Sequence, residues 1–185
     1  MRLATWLRRT APRVSLALLA VGLSTSLAGA QLPVPSAGVI EDVDGATDKP
    51  DPSRVYQLIF DVQSMADAPD KVSPALMSMG RLLNTYRKYG VPADHLRATA
   101  VFHGPTIVVV TNDGTYRGRT GTKANPNVAL LNQLASAGVK FVVCGVSARA
   151  QNYQASDLLP WATLNLSATV TFIDLQLRGY VKVER

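Results

Sequence analysis

Gly138-Val139-Lys140-Phe141-Val142-Val143-Cys144-Gly145-Val146-Ser147 decides how this chain is read. Gly138 closes an apolar-periodic run that begins near Asn125. Val139 to Val143 then has the length and the β-branched and aromatic content of a buried strand. Cys144-Gly145 leads on to Ser147, a good cap for a short helix over Ala148 to Gln151. A strand that follows one helix and leads into another is the unit of an α/β sheet.

The same alternation extends both ways. Val55 to Phe60 reads as a first strand, and Lys71 to Tyr89 as an amphipathic helix with Leu76, Met79, Leu83 and Tyr86 on one face. Gly90 stops that helix and Pro92 prevents re-entry. Ala98 to Phe102 is a second strand. In Asn125-Pro126-Asn127, Asn125 is the expected N-cap and Pro126 the first helical residue. Ala162 to Leu166 reads as a further strand, Ala168 to Arg178 as a helix closed by Gly179, and Tyr180 to Val183 as a last strand. Ile107 to Thr111 is β-branched and favours a strand by propensity, with a helix or covered extended segment as the alternatives. The pattern predicts an α/β domain with a mainly parallel sheet flanked by helices.

At 185 residues, the chain suits one such domain. Its formal charge of +6 includes Arg2, Arg8, Arg9 and Arg13, so a chain cut after Ala30 carries +2, the whole-chain value less those four. With no basic run, nucleic acid is not an expected partner. These arginines, the uncharged Val14 to Leu27 and the small residues Ala28-Gly29-Ala30 form a signal peptide over residues 1–30. The apolar stretch is short for a membrane span, so cleavage leaves no stable anchor, and the expected location is the periplasm. Arg8-Arg9 leaves both the general secretory and the twin-arginine routes open. Residues 31–53, with Pro33, Pro35, Pro50, Pro52 and five acidic residues, read as a flexible linker, and 54–185 as the folded domain.

Ligands of open parallel sheets bind at the carboxyl ends of the strands. Asp61, His103 and Cys144 follow the first, second and third strands. Cys144 is the only cysteine, so it is a buried bystander, a reactive thiol or half of an intermolecular link. A helix start beside its sulfur favours the thiolate, and the reactive reading expects a solvent-reachable thiol of lowered pKa. His103, in the sharp His103-Gly104-Pro105 exit, either handles a proton or makes a capping hydrogen bond. Asp61 is expected to cap its loop and His95 to be solvated. One Cys and one His fall short of a zinc site, and no nucleotide-binding motif is present, so no metal or cofactor is expected.

Phe102-His103-Gly104-Pro105, Asn125-Pro126-Asn127, Gly138 to Ser147 and Asp174-Leu175-Gln176-Leu177-Arg178-Gly179-Tyr180 closely resemble exported members of the DsrE/DsrF-like family. The resemblance implies a YchN-like fold, assembly into homo-oligomers and a helical segment after His103-Gly104-Pro105. It also implies sulfur relay through a persulfide on Cys144, with a sulfur donor or acceptor protein as partner. Two functions therefore stand open: a sulfur carrier or sulfurtransferase using Cys144 with His103 assisting, and a non-catalytic oligomeric binding module.

Overall fold

Five apolar runs become strands in a computed structural model that describes residues 32–184: β1 (Tyr56–Val62), β2 (Leu96–Phe102), β3 (Lys140–Cys144), β4 (Ala162–Asn165) and β5 (Val181–Glu184). They form one sheet, every pair parallel, in the order β4-β3-β2-β1-β5. The three inner strands are largely buried, and the edge strands β4 and β5 are mostly exposed. The expected α/β class and its mainly parallel sheet describe this architecture. The expected signal peptide, residues 1–30, lies outside the described residues.

Among the described residues, five α-helices connect the strands: α1 (Pro74–Lys88), α2 (Asp113–Thr120), α3 (Val128–Ser136), α4 (Gly145–Ala150) and α5 (Ala168–Leu177). From β1 to β4 the chain adds strands in one direction, and then β5 returns to the far side of β1. A right-handed crossover that reverses direction must pass over the opposite face. So α1 and α3 pack with Leu58, Phe60, Phe102, Phe141 and Val143 on one face. On the other, α5 covers Ile59, Val101, Val142 and Cys144 through Ala168, Phe172 and Leu175.

Several boundaries differ from the expectations. β1 continues to Val62, which pairs with Phe102, so Asp61 lies within the strand and not in the loop after it. Residues Gly104–Val110 form a 3-10 helix, helical as the resemblance implied and against β propensity. A strand had no place there, because β1 and β3 already occupy both sides of β2. Thr106 Oγ1 instead donates to the Val62 carbonyl at 3.0 Å, and Ile107 to Val110 are buried over the core. The α3 helix begins at Val128, so neither Asn125 nor Pro126 is where it starts. The eight-residue α2, capped by Asn112 Oδ1 accepting from Thr115 N at 2.9 Å, had no periodic apolar signature.

The stretch expected to be a linker is tied down over its first part. Val34 is wholly buried, and Asn84 of α1 is bonded to it on both sides, Oδ1 accepting from Val34 N (2.9 Å) and Nδ2 donating to Val34 O (2.7 Å). The same Nδ2 donates to Gly38 O at 2.6 Å, and Thr85 Oγ1 accepts from Ile40 N at 2.9 Å. Gly80 makes this fit possible: a Cβ there would stand 2.7 Å from Ala37 Cβ. Two buried apolar residues are too few to show periodicity, so the docking was not legible in the sequence.

Candidate active site

Side chains alternate across a strand, so the register places Ile59, Asp61, Val101, Val142, Cys144 and Lys182 on the α5 face. Cys144 and His103 each come one residue after the paired Val143 and Phe102, on neighbouring strands. The sheet thus brings the expected residues to one edge of one face.

Cys144 ends β3 and is also the N-cap of α4. Its Sγ accepts from the Ser147 amide at 3.5 Å. Burial pushes the thiol pKa up, but the Ser147 hydroxyl and the nearby amides of Ser147, Ala168 and Val146 outweigh it and hold it below the ordinary value. Ala168 is the first residue of α5, so two helix starts converge on the sulfur. The expected solvent-reachable thiol is corrected in one respect: Cys144 is only 6% exposed. Residue 145 must be small, because a Cβ there would meet the Asn165 carbonyl oxygen at 2.6 Å. An open cavity of about 450 Å³, lined by Gly145, Val146, Arg149, Ala150, Asn165 and Leu166, lies beside it.

Asp61 is not a loop cap. It is 2% exposed and serves as the centre of a polar cluster. Its Oδ1 accepts from His103 Nε2 at 2.7 Å, and its Oδ2 accepts from Lys182 Nζ at 2.7 Å and Gln63 Nε2 at 2.9 Å. Burial raises its pKa, but the bonds from Lys182, His103 and Gln63 win and hold the carboxyl below the usual range. The same bond to Asp61 raises the Lys182 pKa. An ionised carboxylate only accepts, so the His103 proton is on Nε2. Phe172 packs over the cluster, 6.3 Å centroid to centroid from the His103 ring and 4.7 Å from Lys182 Nζ. His103 is therefore held toward Asp61, and no hydrogen bond joins it to Cys144 among the described residues.

Lys182, Gln63 and Phe172 were missed by sequence reasoning. One clue to a partner was present: a carboxylate inside the apolar run Leu58-Ile59-Phe60-Asp61-Val62 needs a counter-charge if that run is buried.

The family model of the DsrE/DsrF-like family matches residues 57–183, which span all five strands up to Val183 and both halves of this site. The chain belongs to the DsrE/DsrF-like family. Among solved structures, this DsrE/DsrF-like chain is similar to a protein of unknown function from Methanobacterium thermoautotrophicum. The two are 18% identical with a TM-score of 0.50, over 70% of this chain and 99% of that one. That likeness concerns the fold alone. No curated protein matches the sequence significantly.

Proposed function

We propose that this DsrE-like chain is an exported sulfur carrier or sulfurtransferase whose sulfur is held as a persulfide on Cys144. The observation that carries this reading is the setting of the sulfur, with amides from two helix starts and the Ser147 hydroxyl favouring its anion. The thiolate attacks the sulfane sulfur of a donor such as thiosulfate or a polysulfide. A bond forms between Sγ and that sulfur, the donor's S–S bond breaks, and its electron pair leaves with sulfite or the shortened polysulfide. An acceptor nucleophile then takes the terminal sulfur and returns the Cys144 thiolate, with no external oxidant or reductant. His103 assists by taking up or releasing a proton at Nδ1, because Nε2 is committed to Asp61. The signal-like N-terminus supports export to the periplasm.

Intact-mass analysis after exposure to thiosulfate or polysulfide tests the chemistry. The expected result is a gain of one sulfur atom on the unmodified protein and none on Cys144→Ser. No gain on either favours the second reading, a non-catalytic binding module, which draws on the open cavity beside Gly145. Both readings include self-association through the exposed Leu166, Val170, Ile173 and Leu177 on and before α5. Sedimentation as a monomer at micromolar concentration overturns that part.

A further inference from the structure

On the α5 face of the sheet, a cavity of about 160 Å³ lies over the start of β3, at the opposite end of that strand from Cys144. The last of the short sequence motifs contributes Asp174, Leu175, Arg178 and Tyr180 to its wall, and the inner strands contribute Thr99, Lys140 and Val142. The sulfur chemistry uses none of these residues. Thr99 is 4% exposed and pairs with Lys140 between β2 and β3, its side chain on the same face as Val101 and Val142. Its hydroxyl makes no hydrogen bond among the described residues. It is also not among the fully enclosed polar atoms left without a partner, which are Ser73 Oγ and His95 Nδ1. The Thr99 hydroxyl therefore keeps open surface, in the wall of this cavity.

Thr171, in the same wall, is by contrast satisfied: its Oγ1 donates to Ser167 O at 2.9 Å and accepts from Asn165 Nδ2 at 3.0 Å. A buried hydroxyl left free in a cavity wall is a group for a ligand. The charges of the wall are unmatched too. Asp174 and Arg178 stand four residues apart on α5 and its C-cap, the spacing that ordinarily pairs a carboxylate with a guanidinium. Arg178 Nε instead donates to the Asp174 backbone carbonyl at 3.2 Å. No ion pair engages Asp174, Arg178 or Lys140 among the described residues.

We propose that this cavity binds a small zwitterionic amino acid, its carboxylate at Lys140, Arg178 and the Thr99 hydroxyl, its ammonium at Asp174. A simple anion would leave Asp174 facing a like charge, and a simple cation would face two. A molecule that carries both signs meets all three charged residues. Val142 and Leu175, both buried, form the apolar part of the wall and suit a short aliphatic side chain. The volume is close to the roughly 150 Å³ that takes up one benzene, so the ligand has about six heavy atoms, the size of alanine.

The test is a titration of the isotope-labelled protein with L-alanine, followed by amide resonances. Propionate, which lacks the ammonium, and alaninamide, which lacks the carboxylate, serve as controls at matched ionic strength. Saturable shifts are expected at Thr99, Lys140, Val142 and Leu175 with alanine, and binding at least about tenfold weaker with either control, since each leaves a charged group without its partner. Asp174→Asn, at an exposed position, should abolish the preference for alanine over propionate. The near-isosteric Thr99→Val should weaken alanine about tenfold, the loss of one hydrogen bond to a charged group. No saturation with alanine, equal responses to the three compounds, or a preference that survives in Asp174→Asn each overturn the proposal. The comparison of the three compounds needs no variant, so a poorly folded Thr99→Val does not remove the test.

Discussion

Lys182 Nζ and His103 Nε2 hold opposite oxygens of the Asp61 carboxylate, each at 2.7 Å. The three residues come from β5, the end of β2 and β1, so this buried ion cluster joins the last strand of the chain to the strand end beside Cys144. Removing the carboxylate leaves a part-buried ammonium beneath Phe172 with only the exposed Glu184 carboxylate, 3.4 Å away, as its partner. Asp61→Asn is expected to lower the unfolding free energy by about 2–3 kcal/mol at neutral pH, less than for a fully buried pair because Lys182 stays part-exposed and keeps Glu184. Urea titration measures it.

The pH dependence of that difference has a definite sign. The Asp61 pKa is lower in the fold than in the unfolded chain, so its contribution is fully present above about pH 4 and is lost as pH falls through the folded value. The raised Lys182 pKa acts at the other end, its contribution being lost only as pH rises through the folded amine value. The gap between the unmodified protein and Asp61→Asn should therefore be flat from pH 6 to pH 8 and shrink in acid. A gap that widens in acid would contradict the assignment.

Alkylation of Cys144 by iodoacetamide in the folded protein should follow a pH profile centred below the ordinary thiol value of about 8.5. Ser147→Ala removes a hydroxyl that favours the thiolate and keeps the amide that donates to it. It should move the profile to higher pH and slow labelling at neutral pH by roughly a few fold, with Cys144→Ser as the blank. Labelling that appears only in denaturant would make Cys144 a core residue and remove the sulfur-carrier reading.

Asn84→Ala tests the docked N-terminal segment. The variant leaves the Val34 amide and the Gly38 carbonyl without partners at a buried contact, and the Val34 carbonyl with only the Ala37 amide. A loss of about 2 kcal/mol is expected, together with new proteolytic cleavage between residues 34 and 42. In the unmodified protein, cleavage should concentrate at the exposed residues 43–49. Equal cleavage of both proteins before Val43 would return the whole stretch to a linker.

Local sequence was sufficient where one residue's own conformational preference decided the structure. Gly90 and Gly179, with φ near +84° and +86°, end α1 and α5 where the sequence placed the stops. The run Val139 to Val143 became a buried strand because its burial on both faces needs only apolar side chains at the right length. The resemblance carried by the short motifs likewise led to the family that the chain belongs to. The position of Cys144 at a strand end was legible for the same reason, since it follows from the strand alone.

Tertiary structure decided whatever depended on a distant partner. Ile107 to Val110 had strand propensity, but both sides of β2 were already occupied, so the segment coiled into a 3-10 helix. Asn125 had the chemistry of a helix cap and was drawn instead to the Val109 and Thr111 carbonyls, while Asn127 stands at the start of α3 with its side chain turned to the Ser73 amide. Asp61 had the look of a turn residue until β5 brought Lys182 to it from 121 positions further along the chain. Backbone preference and apolar pattern act within a few residues and are written in them. A buried hydrogen bond or ion pair exists only once the sheet has brought its two ends together.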